Sequence, residues 1–136
     1  MIVWRALDDN PCMNHARQVV ADYLPALEKG AETCGPGPFS MADEVLVRRQ
    51  LQSAGYEAVE FQRVDAEVNM GDTLDDAIEF HLAIGPAGEI YREAGEIAVE
   101  RHADIVAALK RELAPFETPQ GIIMPSSSWK ITARNA

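Results

Sequence analysis

Residues 43–64 read DEVLVRRQLQSAGYEAVEFQRV, and the period of apolar residues changes within this stretch. In its first half, Val47, Leu51 and Ala54 are spaced by four and three residues, which predicts the buried face of a helix. Gly55 follows at the position where a helix C-cap is expected. In the second half, apolar and polar residues alternate, which predicts a half-buried strand. A helix that leads directly into a strand indicates an α/β protein.

On either side of this stretch, the sequence pattern predicts one more strand, which gives three in all. We therefore expect a small three-stranded sheet, mixed or antiparallel, with strands near 1–5, 56–64 and 122–133. Four to five helices account for much of the remaining chain, so the fold class is α/β with an α+β-like arrangement. The clearest helical pattern runs from Glu96 to Ala114, and an earlier helix begins near Thr73. The apolar residues of the first are Ala98, Ile105, Val106, Leu109 and Leu113, and those of the second are Leu74, Ile78, Phe80 and Leu82. All 136 residues form one predicted domain, 1–136, with a flexible loop near 28–38 that is rich in glycine and proline.

Helix boundaries are indicated by residues that favour helix ends. Asn10 can act as an N-cap with Pro11 at the first helical position, and Thr73 can cap a later helix. Either Ser40 or Asp43 can open the helix that carries the Val47 stripe. These residue types satisfy backbone N–H groups that have no partner within the helix itself.

Charge excludes several classes of function. Acidic residues outnumber basic ones 22 to 12, so the net charge is −10. Such a surface repels nucleic-acid phosphates and anionic lipids, and we predict neither nucleic acid nor membrane as a partner. No apolar run is long enough to span a bilayer, and the N-terminus lacks the pattern of a signal peptide. We expect a soluble, cytoplasmic protein.

No residue pattern predicts a catalytic or metal site. Cys12 and Cys34 lie outside any C-x-x-C pair, so reduced thiols are favoured over a disulfide. His15, His81 and His102 are too scattered for a zinc site. His15 is expected at the surface, and His102 is expected half-buried and hydrogen-bonded on a helix. His81 either belongs to the core or reaches a ligand cavity.

Other polar groups have structural explanations. The acidic pairs Asp8/Asp9 and Asp75/Asp76 stand at turns or helix starts, which favour carboxylates. The serines 126–128 lack a glycine-framed elbow, and Gly35-Pro36-Gly37 follows no strand, so it is not a phosphate-binding loop. We assign no catalytic residue and no metal ligand.

Several short pieces nevertheless occur in a characteristic order. They are Trp4-Arg5, Asn10-Pro11, Gly37-Pro38-Phe39, Ala42-Asp43, Ala54-Gly55-Tyr56, Gly71 to Ala77 (GDTLDDA), Ile84-Gly85-Pro86 and Trp129-x-x-Thr132-Ala133-Arg134. Over about 130 residues the chain resembles the C-terminal half of a class I S-adenosylmethionine-dependent methyltransferase of the UbiE-like small-molecule type.

The resemblance implies a Rossmann-like back half without its donor site. In such enzymes, the glycine-rich loop that holds S-adenosylmethionine precedes the part that this chain matches. No cofactor is therefore expected in this chain, although S-adenosylmethionine serves the parent family. The three strands would be the fifth, sixth and seventh of the parent sheet, with the last one between the other two and antiparallel to both.

The same resemblance predicts an exposed sheet edge and a cavity. The strand of Ile2, Val3 and Trp4 would lose the neighbour that covers it in the parent fold, and homodimerisation through this edge is expected. Helices between 72 and 114 would correspond to the lid over the methyl acceptor. Candidate residues for an apolar ligand cavity are Trp4, Met13, Phe80, His81 and Ile84.

Three functions remain open at this level. The first is a methyltransferase-derived domain that self-associates and is not catalytic alone. The second is a module that binds a small apolar ligand in a retained acceptor cavity. The third is half of a methyltransferase that a separate donor-binding chain completes. Solution mass, ligand occupancy and capture of a donor-binding chain distinguish them.

Overall fold

The computed structural model describes residues 1–26 and 37–136, which contain five α-helices and a four-stranded antiparallel sheet. The strands are β1 (Ile2–Trp4), β2 (Tyr56–Asn69), β3 (Glu117–Thr118) and β4 (Gly121–Asn135). The helices are α1 (Pro11–Tyr23), α2 (Glu44–Ser53), α3 (Leu74–Ala83), α4 (Gly85–Ala94) and α5 (Glu96–Leu113). The predicted α/β class and helix number are confirmed. Most of the predicted loop near 28–38 lies outside the described residues.

The sheet order is β1-β4-β2, with β3 attached to β4 alone. The last strand thus lies between the first two, as expected, and β1 pairs with it in antiparallel register, with Val3 opposite Trp129. The predicted count of three strands is wrong because β3 forms a hairpin with the start of β4. Its two residues are too few to show a period of two, and Gly121 supports the tight turn with a φ of 119°.

The described residues divide into two compact units. The first unit comprises 1–10, 37–66 and 126–136, and the second comprises 11–26 and 67–125. The long strands β2 and β4 each contribute residues to both.

The first unit has a small apolar interior beneath α2. Its buried members are Val47, Val59 and Ile131, against which Leu51 and Trp129 pack. The helix stripe is therefore correct at Val47 and Leu51, but Ala54 is exposed because α2 ends at Ser53. Asp43 caps this helix by accepting hydrogen bonds from the N–H groups of Val45 and Leu46.

The second unit has a larger, mostly helical interior. Helix α1 packs on α4 and α5, and α3 packs on the same two helices. The buried residues of α5 include Ala98, Ile105, Leu109 and Leu113, the face that the periodicity predicts. At the start of α3, Thr73 and Asp76 form a reciprocal capping box, which confirms Thr73 as the cap.

Candidate functional site

The first candidate site is the outer edge of β1. Residues Met1 and Ile131 exchange backbone hydrogen bonds of 2.8 Å, and the Arg5 N–H donates to Ser127 O at 3.1 Å. Since hydrogen-bonded and non-bonded pairs alternate in an antiparallel ladder, Ile2 and Trp4 direct their backbone groups away from β4. Within the described residues β4 is the partner of β1, and Ile2 is 70% exposed. This edge can accept another strand.

A polar network lies beside the end of β1, within the first unit. The buried Ser127 hydroxyl donates to Asp65 Oδ1 at 2.6 Å and accepts from Arg5 Nη1 at 2.9 Å. Arg63 Nε also donates to Asp65 Oδ1, at 2.9 Å. These bonds lower the pKa of the Asp65 carboxyl, with Arg63 as the largest cause and Ser127 as the next.

This network is suited to holding structure rather than to nucleophilic chemistry. A serine nucleophile needs a base that removes its proton, commonly a histidine. The Ser127 hydroxyl instead donates to Asp65, whose lowered pKa makes it a weak base, and Ser127 is only 3% exposed. Its N–H donates to Asn10 Oδ1 at 2.8 Å, which fixes the backbone as well.

The hydrogen bonds that the structure gives the Asn10 side chain join it to Arg5, Ala6 and Ser127, so its role as an N-cap of α1 stays a prediction. The residue is fully buried, and its amide donates to Ala6 O at 3.0 Å and to Arg5 O at 3.4 Å. Its side chain ties the turn before α1 to β4 through Ser127. The sequence indicated the helix start correctly, since α1 begins at Pro11.

The second candidate site is a cavity of about 450 Å³ in the second unit, open to solvent and bordered by α3, α4 and α5. Its apolar lining consists of Ile78, Leu82, Ala83 and Val106. Its polar and aromatic lining consists of Asp75, Glu79, Tyr91 and His102. The periodicity along α3 and α5 indicated the two helix faces separately, but it could not show that they meet beside Tyr91.

Hydrogen bonds and an ion pair fix part of this lining. Tyr91 Oη lies 2.8 Å from His102 Nδ1, and the two rings meet edge to face with centroids 5.9 Å apart. His102 is hydrogen-bonded as expected, but it is exposed rather than half-buried because it faces this open cavity. Lys110 Nζ lies 3.0 Å from Asp75 Oδ1 at the rim.

The five predicted cavity residues occupy different surroundings. Trp4 belongs to the first unit, whereas Met13 packs against the interior of the second. Phe80 and Ile84 are 42% and 53% exposed, and Phe80 lines a separate hollow of about 540 Å³ near the start of α3. His81 is buried beside Phe80, with ring centroids 5.8 Å apart. None of the five lines the cavity that contains Tyr91.

Two buried titratable groups have perturbed acidity. Desolvation lowers the pKa of His81 to about 4, and its Nε2 has no hydrogen-bond partner in the part of the chain that the structure describes. Desolvation raises the pKa of the buried Cys12 thiol to about 11, so this cysteine is a poor nucleophile. Cys34 lies outside the described residues. His15, which was expected at the surface, keeps 33% of its side chain exposed, and its Nδ1 lies 2.6 Å from Glu112 Oε1.

Residues 1–26 and 37–136 contain no group of three or more histidine, cysteine, aspartate or glutamate side chains arranged to hold a metal ion. Over the same ranges, no helix combines the length and apolar character needed to cross a bilayer. No protein-family model matches the chain, and no curated protein matches it.

Proposed function

We propose that this chain is a methyltransferase-derived C-terminal domain that self-associates through the edge of β1 and is not catalytic alone. The observation that carries this proposal is the strand order β1-β4-β2, with β1 at the edge. In the parent family the corresponding strand is internal, and another strand covers the edge that is open here within residues 1–26 and 37–136. The sequence contains no glycine-rich loop after a strand that could hold S-adenosylmethionine.

The composition of β1 supports a second copy as the occupant of this edge. Met1 and Ile2 expose more than half of their surfaces, and the outward backbone groups of Ile2 and Trp4 require a partner or water. Two copies of β1 can pair in antiparallel fashion about a two-fold axis, which gives each strand the same contacts. Arg5 is the single charged side chain among residues 1–7, so the strong acidity of the chain is absent from this edge.

Light scattering of the purified 136-residue chain tests the proposal. The unmodified chain should have twice the mass of one chain, and Ile2→Lys should yield a monomer because a charged side chain on an edge strand opposes the addition of another strand. Ile2→Pro should do the same, since it removes the outward N–H and spares the hydrogen bonds to β4. Val45→Lys is the matched control, because Val45 is 67% exposed on α2 within the same unit.

A monomer at all concentrations, or a dimer that survives both Ile2 variants, would contradict self-association through this edge. The first result would favour the alternative in which a separate donor-binding chain covers β1. Calorimetric titration with S-adenosylmethionine should give no binding heat on the isolated chain, and saturable binding would contradict the absence of a donor site.

A further inference from the structure

The cavity bordered by α3, α4 and α5 combines an apolar floor with an acidic and aromatic rim. Ile78, Leu82 and Val106 supply the floor, while Glu79 and Tyr91 stand among its polar lining. Its volume of about 450 Å³ lies within the range of small-molecule sites, roughly 300–1,000 Å³. An apolar group of a ligand could cover the floor while a polar group remains at the rim.

The charges of the residues at the rim determine whether a positive or a negative ligand group binds more favourably there. Asp75 is paired with Lys110, but Glu79 forms no salt bridge with any lysine, arginine or histidine of the described chain. Glu79 therefore contributes an uncompensated negative charge. The net charge of −10 attracts cations and repels anions over a longer range.

The aromatic ring adds a second preference for a cation. A tyrosine ring attracts an ammonium group that lies within about 6 Å of its centroid. Tyr91 is restrained by its hydrogen bond to His102, so its ring is held in place beside the cavity. Glu79 and Tyr91 thus favour the same class of ligand by two different interactions.

We propose that this cavity binds a small organic cation with an apolar body, such as a primary or quaternary amine that carries an aromatic or aliphatic group. The ammonium head lies between Glu79 and Tyr91, and the apolar body covers Ile78, Leu82 and Val106. This binding goes beyond the self-association proposed above, and it involves residues of the second unit alone.

Three probes of one shape test the sign of the charge: 4-phenylbutylammonium, 4-phenylbutan-1-ol and 4-phenylbutanoate. Titrations followed by backbone amide NMR should show shifts concentrated at the cavity residues. The ammonium probe should bind about fivefold more tightly than the alcohol, as expected for an exposed ion pair with a cation–π contact. The carboxylate should bind most weakly. Shifts elsewhere, or equal affinity for all three probes, would overturn the proposal.

Two variants distinguish the contribution of the Glu79 charge to ligand binding from that of the apolar floor. Glu79→Gln should weaken binding of the ammonium probe about threefold and leave the alcohol unchanged. Leu82→Ala should weaken both probes, because it removes apolar contact common to them. Glu93→Gln is the matched control, since Glu93 is an exposed glutamate of α4 outside the cavity lining and should leave all affinities unchanged. An identical effect of Glu79→Gln on the ammonium and the alcohol would contradict the assigned role of Glu79.

Discussion

The interiors of the two units differ in size and in chemistry. Among the described residues, the core of the second unit holds fourteen buried apolar residues, whereas that of the first holds Val47, Val59 and Ile131. The first unit instead contains a dense polar network centred on Ser127 and Asn10. Apolar burial stabilises in proportion to area, while hydrogen bonds contribute modestly but are costly to break when buried. Apolar truncation should thus weaken the second unit most, and polar truncation the first.

The largest expected effect is that of Leu109→Ala in α5. Leu109 is fully buried among residues of the second unit, so its truncation leaves a cavity that neighbouring helices cannot readily fill. We expect a loss of about 3–4 kcal/mol in the free energy of unfolding, measured by urea denaturation. Val47→Ala, at a fully buried site in the small interior of the first unit, should lose only about 1–2 kcal/mol. Equal losses would contradict the comparison.

A smaller effect is expected from the protonation of His81. Burial lowers its folded-state pKa to about 4 from an ordinary value of 6.5, so the unfolded chain binds this proton more readily. Stability from the neutral ring is complete above pH 6.5 and is lost as the pH falls towards 4. Between pH 7 and pH 5 this group should reduce the free energy of unfolding by about 2 kcal/mol.

Denaturation of His81→Leu at both pH values isolates this contribution. The leucine variant should lose about 2 kcal/mol less than the unmodified chain over the same interval. The exposed His102 offers the control, and His102→Gln should keep the full acid sensitivity. If His81→Leu and the unmodified chain lose equal stability, His81 is not held neutral by its burial.

The elements with clear periodicity were predictable from sequence. The stripe of α5, the alternation in β2 and the capping residues Thr73 and Asp43 all depend on local patterns, and the structure contains each of them. Strand β3 was not predicted because two residues are too few to show an alternating pattern. The ends of β2 and β4 extended beyond the predicted ones because pairing between strands, not local alternation, determines where a strand stops.

The candidate sites were predictable only in part. Ile2 was identified as an exposed edge residue from the apolar run and the family resemblance, and β1 does lie at the edge of the sheet. The cavity beside Tyr91 was not predicted because residues of three helices form it. The sequence pattern can indicate the apolar face of each helix, but it cannot show which faces lie next to one another. Asn10 was predicted as an N-cap from its position before Pro11. Its bond to Ser127 could not be predicted, because no local sequence pattern indicates a contact between residues so far apart in the chain.

The smallest expected effect is that of Asn10→Ala, which tests how much the polar network stabilises the first unit. Asn10→Ala removes the acceptor of the Ser127 N–H and the donor to Ala6 O, leaving buried backbone groups without partners. We expect a loss of about 1–2 kcal/mol in the free energy of unfolding by urea. Asn135→Ala, at an exposed position near the end of β4, should change stability by less than about 0.5 kcal/mol.

Asn10→Asp separates the two sets of bonds that Asn10 makes. It keeps the acceptor for the Ser127 N–H, but it loses the donors and places a charge against the carbonyls of Arg5 and Ala6. Full stability in Asn10→Asp would mean that the bond to Ser127 alone matters, and full stability in Asn10→Ala would show that the polar network does not hold the first unit together.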